Sequence, residues 1–422
     1  MNKEKQKIVP ALRFPEFIEN DNWKEYQLKE FLELLTDFEA NGSFADVKKN
    51  VTILNEPDFA WYVRATDLEK QSNLNDVKYV NKHSYDFLRK TKLFGGELLI
   101  TKRGEIGKVY LYEAINGVKA TVAPNMYLLK MLDNALPKFF YYYFVNYQGN
   151  ESLKKLNASS TIGALYKNDV KNLSVYIPLY KEQQKIANCL SSLDNIITAE
   201  TEKLELLKDH KKGLLQQLFP TNGETKPQFR FPEFENDDDW EETTLDDVAD
   251  YENGKAHEKE ISETGKYKVV NSKFISTDGR VVKFTDSANL KANIGDVLMV
   301  LSDIPKGKAI AKCFYVDKED TYTVNQRICK ITPTDIDNKF LFYIQNRNKY
   351  FLAFDDGVKQ TNLRKDTVLS FPFLKPKNLK EQQKIADCLS SADDLIQAQK
   401  TKIENLKNHK KGLLQQLFPN SL

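Results

Sequence analysis

The sequence lacks the residues and segments that mark metal-bound, disulfide-linked or membrane-spanning proteins. It has only four cysteines and four histidines in 422 residues, and no CxxC pair, so neither a zinc site nor a disulfide framework is indicated. No apolar run approaches the roughly 18 residues that a membrane-spanning helix needs. The first ten residues, MNKEKQKIVP, also lack the apolar core of a signal peptide. We therefore expect a cytoplasmic protein that does not bind a membrane.

Sequence signatures of catalysis are missing as well. Gly107-Lys108 and Gly307-Lys308 lack the upstream glycine that a phosphate-binding P-loop requires. There is no HExxH zinc motif, nucleophile elbow, Gly-rich dinucleotide fingerprint, or tetrapeptide of the NPPF or DPPY type used in adenine methylation. We therefore predict a binding protein that holds no cofactor or metal of its own.

The composition is that of folded domains without a dominant charge. The net charge is +2, and aromatic residues make up 11% of the chain. A face that binds nucleic acid would therefore have to be local, and offset by acidic segments elsewhere. The length allows two or three domains, each with its own core.

The strongest positive feature is a long internal repeat. Three segments occur twice: KEQQKIA at Lys181–Ala187 and Lys380–Ala386, HKKGLLQQLFP at His210–Pro220 and His409–Pro419, and RFPEF at Arg13–Phe17 and Arg230–Phe234. The segments between them are far less alike. This pattern indicates duplication of one large unit, in which a constant frame carries two divergent modules.

The constant segments are predicted to form long helices. Apolar residues recur there at alternating spacings of three and four, as in Leu190, Leu193 and Ile197, over about five heptads. Prolines precede and follow each segment, which bounds helices of roughly 38 residues. We expect the two helices to pair antiparallel; the alternative is that each packs only on its own domain.

The divergent segments are predicted to be mixed globular domains of one fold. Matching strands at Gly96–Ile100 and Gly295–Val300 each lead into a basic loop, and an aromatic helix follows later in both copies. The fold class is thus α+β: two similar mixed domains in a pseudo-two-fold arrangement, separated by a pair of long antiparallel coiled-coil helices. The predicted boundaries are residues 1–180 for the N-terminal segment and first domain, 181–220 for the central helix, 221–379 for the linker and second domain, and 380–422 for the C-terminal helix.

Polar loops of the divergent domains carry the candidate binding residues. Lys and Arg suit phosphate contacts, whereas Asn, Gln and Arg suit contacts with base edges. The candidates are Lys102, Arg103, Lys108, Asn125 and Lys167 in the first domain, and Lys306, Lys308, Gln326, Arg327, Lys359, Gln360 and Arg364 in the second. A single basic loop is common on any surface, but loops at equivalent positions of two diverged copies favour a shared role.

Taken together, the paired KEQQKIA boxes that open heptad helices, the paired HKKGLLQQLFP ends and the RFPEF openings resemble the specificity subunit of a type I restriction–modification enzyme. The resemblance implies that the divergent parts are target recognition domains and that the helices form a spacer. It also implies that the subunit binds double-stranded DNA with an asymmetric, bipartite target and catalyses nothing alone. The implied partners are two modification subunits, which methylate adenine with S-adenosylmethionine, and two restriction subunits, which use ATP and Mg and cut DNA.

The residues alone do not exclude two other function classes. One is an enzyme with unfamiliar motifs, and the other is a scaffold whose domains bind proteins. The helices also carry apolar residues outside the heptad seam, which we expect to be exposed and to bind a partner subunit. These residues are Ile186, Ile196, Leu206, Leu215, Ile385, Leu395 and Leu414.

Overall fold

The fold is that of a computed structural model, which describes residues 8–158, 163–221, 223–257, 259–304 and 307–419. The chain divides into two compact units. Unit 1 comprises residues 1–201 and 402–422, and unit 2 comprises residues 202–401.

Unit 1 combines two curved sheets with short helices. Its strands are β1 (Lys24–Gln27), β2 (Leu32–Asp37), β3 (Ile53–Leu54), β4 (Ala60–Val63), β5 (Tyr79–Val80), β6 (Lys92–Leu93), β7 (Leu98–Thr101), β8 (Val109–Leu111), β9 (Lys119–Val122), β10 (Met126–Met131) and β11 (Ser174–Ile177). Its helices are α1 (Phe44–Asn50), α2 (Ala65–Lys70), α3 (Lys82–Phe87), α4 (Pro137–Val145), α5 (Tyr147–Ala158) and α6 (Lys167–Lys171). The sheets run β2-β10-β7-β8 and β3-β5-β4-β9-β6, and β1 pairs with β11.

Two long helices follow the two divergent segments: α7 (Tyr180–Gln217) and α13 (Leu379–Gln416), each of 38 residues. The length predicted from the heptads is confirmed. In unit 1, Asp194 pairs with Lys410, and Glu200 pairs with Lys402. Since the partner's number falls as the first residue's number rises, the paired helix segments run antiparallel, as predicted.

Unit 2 repeats this architecture with extra short strands. Its strands are β12 (Glu241–Thr244), β13 (Ala249–Asn253), β14 (Tyr267–Val270), β15 (Phe284–Thr285), β16 (Lys291–Ala292), β17 (Val297–Val300), β18 (Ser302–Asp303), β19 (Cys313–Tyr315), β20 (Tyr322–Val324), β21 (Ile328–Pro333), β22 (Thr361–Asn362) and β23 (Pro372–Lys375). Its helices are α8 (Leu245–Val248), α9 (Ser272–Ser276), α10 (Asn338–Gln345), α11 (Lys349–Leu352) and α12 (Lys365–Leu369). The sheet β13-β21-β17-β19 has the same strand order as β2-β10-β7-β8 of unit 1, which confirms a shared fold.

Each core is built around one buried strand and one aromatic helix. All four residues of β7 are buried, as are all four of β17, because both faces of these strands are covered. Phe139 of α4 packs against Trp23 and against Phe418, which follows α13. The end of one long helix therefore closes the core of unit 1, where the aromatic residues supply much of the buried area.

A buried ion pair explains the acidic residue of the KEQQKIA box. In unit 1 the guanidinium of Arg13 donates two hydrogen bonds of 2.8 Å to the carboxylate of Glu182, and Trp23 Nε1 donates a third of 3.2 Å. Glu182 is almost fully buried. Bidentate pairing of this kind gives strength and fixed geometry, so it holds the N-terminal segment against the start of α7.

Unit 2 repeats the arrangement with Arg230, Glu381 and Trp240, at 2.8, 2.8 and 3.3 Å. The Gln that follows each Glu has a matching role. Gln183 accepts a hydrogen bond from the backbone of Leu136, and Gln382 accepts one from that of Asp337. The repeated box thus fastens each long helix to its own domain.

Some of the apolar residues outside the heptad seam, which are predicted to be exposed, are buried instead. Ile186 and Ile385 are buried in the domain cores, so the prediction that they are exposed is wrong. Leu215 and Leu414 pack partly against those cores. The reason is that the helix ends lie on the domains, which cover more than the heptad seam. Exposure is confirmed for Ile196, Leu206 and Leu395.

Candidate nucleic-acid interface

Three loops of unit 1 meet at the carboxyl end of β7. The backbone N–H of Lys102 donates to the carbonyl of Asn125 at 2.8 Å, and the N–H of Leu165 donates to the carbonyl of Lys102 at 3.1 Å. These two bonds join the β7–β8 loop, the turn before β10 and the segment before α6. We call this meeting point the three-loop junction.

Unit 2 builds the same junction with other residues. The N–H of Leu301 donates to the carbonyl of Arg327 at 2.9 Å, and the N–H of Leu363 donates to the carbonyl of Leu301 at 2.8 Å. Lys102 and Leu301 therefore occupy equivalent places, as do Asn125 and Arg327. Because backbone bonds define the equivalence, it holds although the side chains differ.

The unit 1 candidates lie on the loops of the junction, and their side chains differ in how far they are exposed to solvent. The side chain of Arg103 is largely exposed, and its guanidinium lies 4.0 Å from the carboxylate of Glu39. Asn125 is exposed and has a φ of 73°, a left-handed conformation that Asn tolerates well. Both side chains can therefore reach a ligand placed over the junction.

Two further candidate cations of unit 1, Lys108 and Lys167, are partly exposed and paired with carboxylates. The ammonium of Lys108 contacts Glu105 and Glu69, and hydrogen bonds to these two carboxylates raise the pKa of Lys108. Lys167 lies 2.7 Å from Asp37 and keeps about a third of its side chain exposed. The pairs of Lys108 are weak because solvent reaches both partners, so this ammonium can exchange a carboxylate for a phosphate. Lys167 faces the buried carboxylate of Asp37.

Lys102 differs from the other candidates because its ammonium is inside the protein. It lies 2.7 Å from Asp37 and 3.2 Å from Glu39, and 5.4 Å from the ring centroid of Tyr127. Burial opposes ionisation of Asp37, but hydrogen bonds from Lys102 and Lys167 outweigh it and lower the pKa of this carboxyl. Lys102 thus ties the β7–β8 loop to the end of β2.

We therefore expect Lys102→Ala to act on stability rather than on phosphate binding. Removing the ammonium leaves the buried Asp37 with only the partly exposed Lys167, which should cost unit 1 about 3 kcal/mol. The slope of binding affinity against salt should stay unchanged, whereas Lys108→Ala, which removes a proposed phosphate ligand, should lower it by about 1. Denaturant titration and salt-dependent DNA binding of the two variants separate these effects, and a reduced slope for Lys102→Ala would contradict a structural role.

The β17–β19 loop and the β20–β21 turn of unit 2 present exposed polar candidates. Lys308 is exposed, and its backbone carbonyl accepts a 3.1 Å hydrogen bond from Arg347. Gln326 and Arg327 are exposed on the turn before β21. Lys306 lies outside the described residues.

The remaining candidates of unit 2 lie on the loop that enters α12. Gln360 donates a 2.7 Å hydrogen bond from Nε2 to Ser302 Oγ, which ties this loop to β18. Lys359 is exposed, and Arg364 is exposed at the N-cap of α12. The six described candidates of unit 2 thus lie on the loops that form one junction.

Sequence reasoning missed the acidic partners at the junctions. Asp37 lies 65 residues before Lys102 in the chain, and no local pattern distinguishes it from other carboxylates. Within the described residues no group of three or more His, Cys, Asp or Glu side chains is arranged to hold a metal ion. None of the described helices is both long enough and apolar enough to cross a bilayer.

A duplicated mixed domain on paired helices, with a polar three-loop junction in each copy, defines a two-module recognition protein. Residues 20–209 and 237–408 match the family model described as type I restriction modification DNA specificity domain. The chain belongs to this family.

The chain is also similar in sequence to a named relative and in fold to two solved structures. The chain is 24% identical to the type I restriction enzyme MjaVIII specificity subunit of Methanocaldococcus jannaschii, over 99% of this chain and 95% of the relative. Its fold is similar to that of the type I restriction–modification S subunit from M. genitalium, with a TM-score of 0.61 and 18% identity over 98% of this chain and 100% of that one. A chain from a study of assembly and conformational transition in the type I R-M system has a similar fold, with a TM-score of 0.54 and 15% identity over 95% of this chain and 98% of that one.

Proposed function

We propose that the chain selects the DNA target of a type I restriction–modification complex by reading two different half-sites, one with each unit. The observation that carries the proposal is the three-loop junction, which both units build with the same backbone bonds and different side chains. A shared scaffold with divergent side chains suits two readers of unlike sequences. The target is therefore bipartite and asymmetric.

The candidate residues of the two units divide into two roles. Lysines bind phosphates and position the protein on the duplex, whereas Arg, Asn and Gln side chains also reach base edges. The phosphate ligands are Lys108 and Lys167 in unit 1, and Lys306, Lys308 and Lys359 in unit 2. The base readers are Arg103 and Asn125 in unit 1, and Gln326, Arg327, Gln360 and Arg364 in unit 2. Lys102 positions the β7–β8 loop.

The chain acts through partner subunits. Two modification subunits dock on it and methylate adenine with S-adenosylmethionine, and two restriction subunits with ATP and Mg complete the nuclease. The exposed Ile196, Leu206 and Leu395 on the long helices support such docking, because exposed aliphatic side chains on a helix suit a protein partner.

The test is methylation mapping in a host that carries this chain with its modification subunit. We expect methylated adenines in one motif with two unlike specified halves, and salt-sensitive, sequence-selective binding by the purified complex. Methylation without a shared motif would contradict the proposal. Binding of S-adenosylmethionine to the isolated chain would instead favour an enzyme.

A further inference from the structure

Unit 2 exposes two large aliphatic side chains at its three-loop junction. Ile304 directly follows β18 and is 69% exposed, and Val358 lies shortly before β22 and is 76% exposed. Strands β18 and β22 pair antiparallel, with Asp303 opposite Thr361. Both side chains therefore project from loops that one short ribbon joins.

One carboxylate binds the described residues on both sides of positions 305–306. Asp303 accepts hydrogen bonds from the backbone N–H groups of Ile304 at 2.9 Å, Ala309 at 2.6 Å and Ile310 at 3.2 Å. A side chain at Gly307 would overlap this carboxylate. The backbone N–H of Ile304 is thus fixed by Asp303, and the side chain is presented to solvent next to it.

The loop that carries Val358 is organised in the same way. Asp356 accepts from the N–H groups of Val358 at 2.9 Å and Lys359 at 3.0 Å. Asp355 accepts from the N–H of Gly357 at 3.0 Å and from the hydroxyl of Thr361 at 2.9 Å. Val358 is therefore also displayed on a fixed turn.

Unit 1 carries charge where unit 2 carries Ile304. Lys102 and Leu301 are equivalent by their backbone bonds, and the residues that follow in unit 1 include the exposed Arg103 and Glu105. The two junctions thus differ in chemistry at the place where their half-sites should differ.

One apolar group is available to such side chains in the major groove of DNA, the 5-methyl of thymine. The carbonyl of Arg327 accepts from the N–H of Leu301, and Gln360 donates to Ser302, so both polar residues lie on loops bonded to the segment just before Ile304 and can contact the same duplex. We propose that Ile304 and Val358 contact thymine methyl groups in the half-site read by unit 2, and so specify thymine there. This inference rests on the proposed function and names a base that unit 2 reads.

The experiment uses the complex of the full chain with its modification subunits and the mapped target. Deoxyuridine replaces each thymine in turn, on both strands, which removes one methyl group and keeps the base pair. For wild-type protein, one or two replacements in the unit 2 half-site should each weaken binding roughly fourfold, the effect of burying about one methyl group. Arg327→Ala, which should weaken discrimination in the same half only, identifies that half.

In the variants Ile304→Ser and Val358→Ser, the ratio of the affinity for the thymine target to that for the deoxyuridine target should fall close to 1 at those positions alone. Ile294→Ser is the matched control, because Ile294 is 57% exposed at the opposite end of β17. It should keep the wild-type ratio.

A wild-type complex that binds selectively but ignores every methyl group, or a unit 2 half-site without thymine, would overturn this inference and leave the proposed function intact. Loss of subunit assembly in Ile304→Ser, without any methyl preference in wild type, would reassign the surface to a protein partner. Absence of sequence-selective binding by wild type would overturn both proposals.

Discussion

Glu182→Ala is expected to destabilise unit 1 by about 3–5 kcal/mol, because it leaves a buried guanidinium without a counter-charge. Arg13 and Trp23 both donate to this carboxylate, and the side chains of the ion pair are 9% and 1% exposed. Their loss should release the N-terminal segment from the start of α7. Hydrogen exchange should rise across residues 8–27 and the first turns of α7, while unit 2 stays protected.

Glu381→Ala is the matched variant, since Arg230 and Trp240 repeat the same contacts in unit 2. It should raise exchange in unit 2 and leave unit 1 protected. The double variant Arg13→Met with Glu182→Met should recover part of the loss, because it removes both charges together. If the free energy of unfolding of both single variants lies within about 1 kcal/mol of the wild-type value, the buried pairs do not hold the helices to the domains.

Removing three cations from the unit 2 junction should weaken DNA binding roughly a hundredfold at about 0.1 M salt, since each phosphate contact adds about 0.9 to the salt slope. The variant combines Lys308→Ala, Arg327→Ala and Lys359→Ala, all exposed at the junction. The plot of log affinity against log salt should lose about two units of slope, because Lys308 and Lys359 are the proposed phosphate ligands. The reading of the unit 1 half-site should not change.

A control with the same change in net charge separates local contacts from overall electrostatics. The control variant replaces three lysines near Asp320. Lys266 and Lys291 pair with its carboxylate, and Lys318 precedes it by two residues in the sequence. Their replacement by Ala should alter the slope little. An equal loss of affinity in both triple variants would mean that the junction is not the DNA-binding surface.

Regular features of the fold were predictable from the sequence because they depend on local or repeated patterns. Heptads bounded by prolines gave both 38-residue helices, and the matched runs at Gly96–Ile100 and Gly295–Val300 gave the central strands of both units. The duplication itself predicted that loops at matching positions would share a role. Those loops do meet at one junction in each unit.

Features that depend on distant contacts were not predictable. Nothing near Lys102 in the chain indicates that its ammonium pairs with Asp37 inside the protein, so the sequence alone does not distinguish it from the other candidate cations. Ile186 and Ile385 were expected to be exposed because heptad position alone does not show that the domains cover the helix ends. The short strands β18 and β22, which place Ile304 and Val358 at the junction, contain only two residues each and carry no periodic signal.

The independence of the two units is the central claim, and an exchange of one domain tests it most directly. Residues 239–379 are replaced by the equivalent domain of a relative, and all methylated adenines are mapped in a host that supplies the modification subunit. The account predicts that one half of the motif changes to a new sequence while the other half is retained. A change in both halves, or in neither, would contradict it.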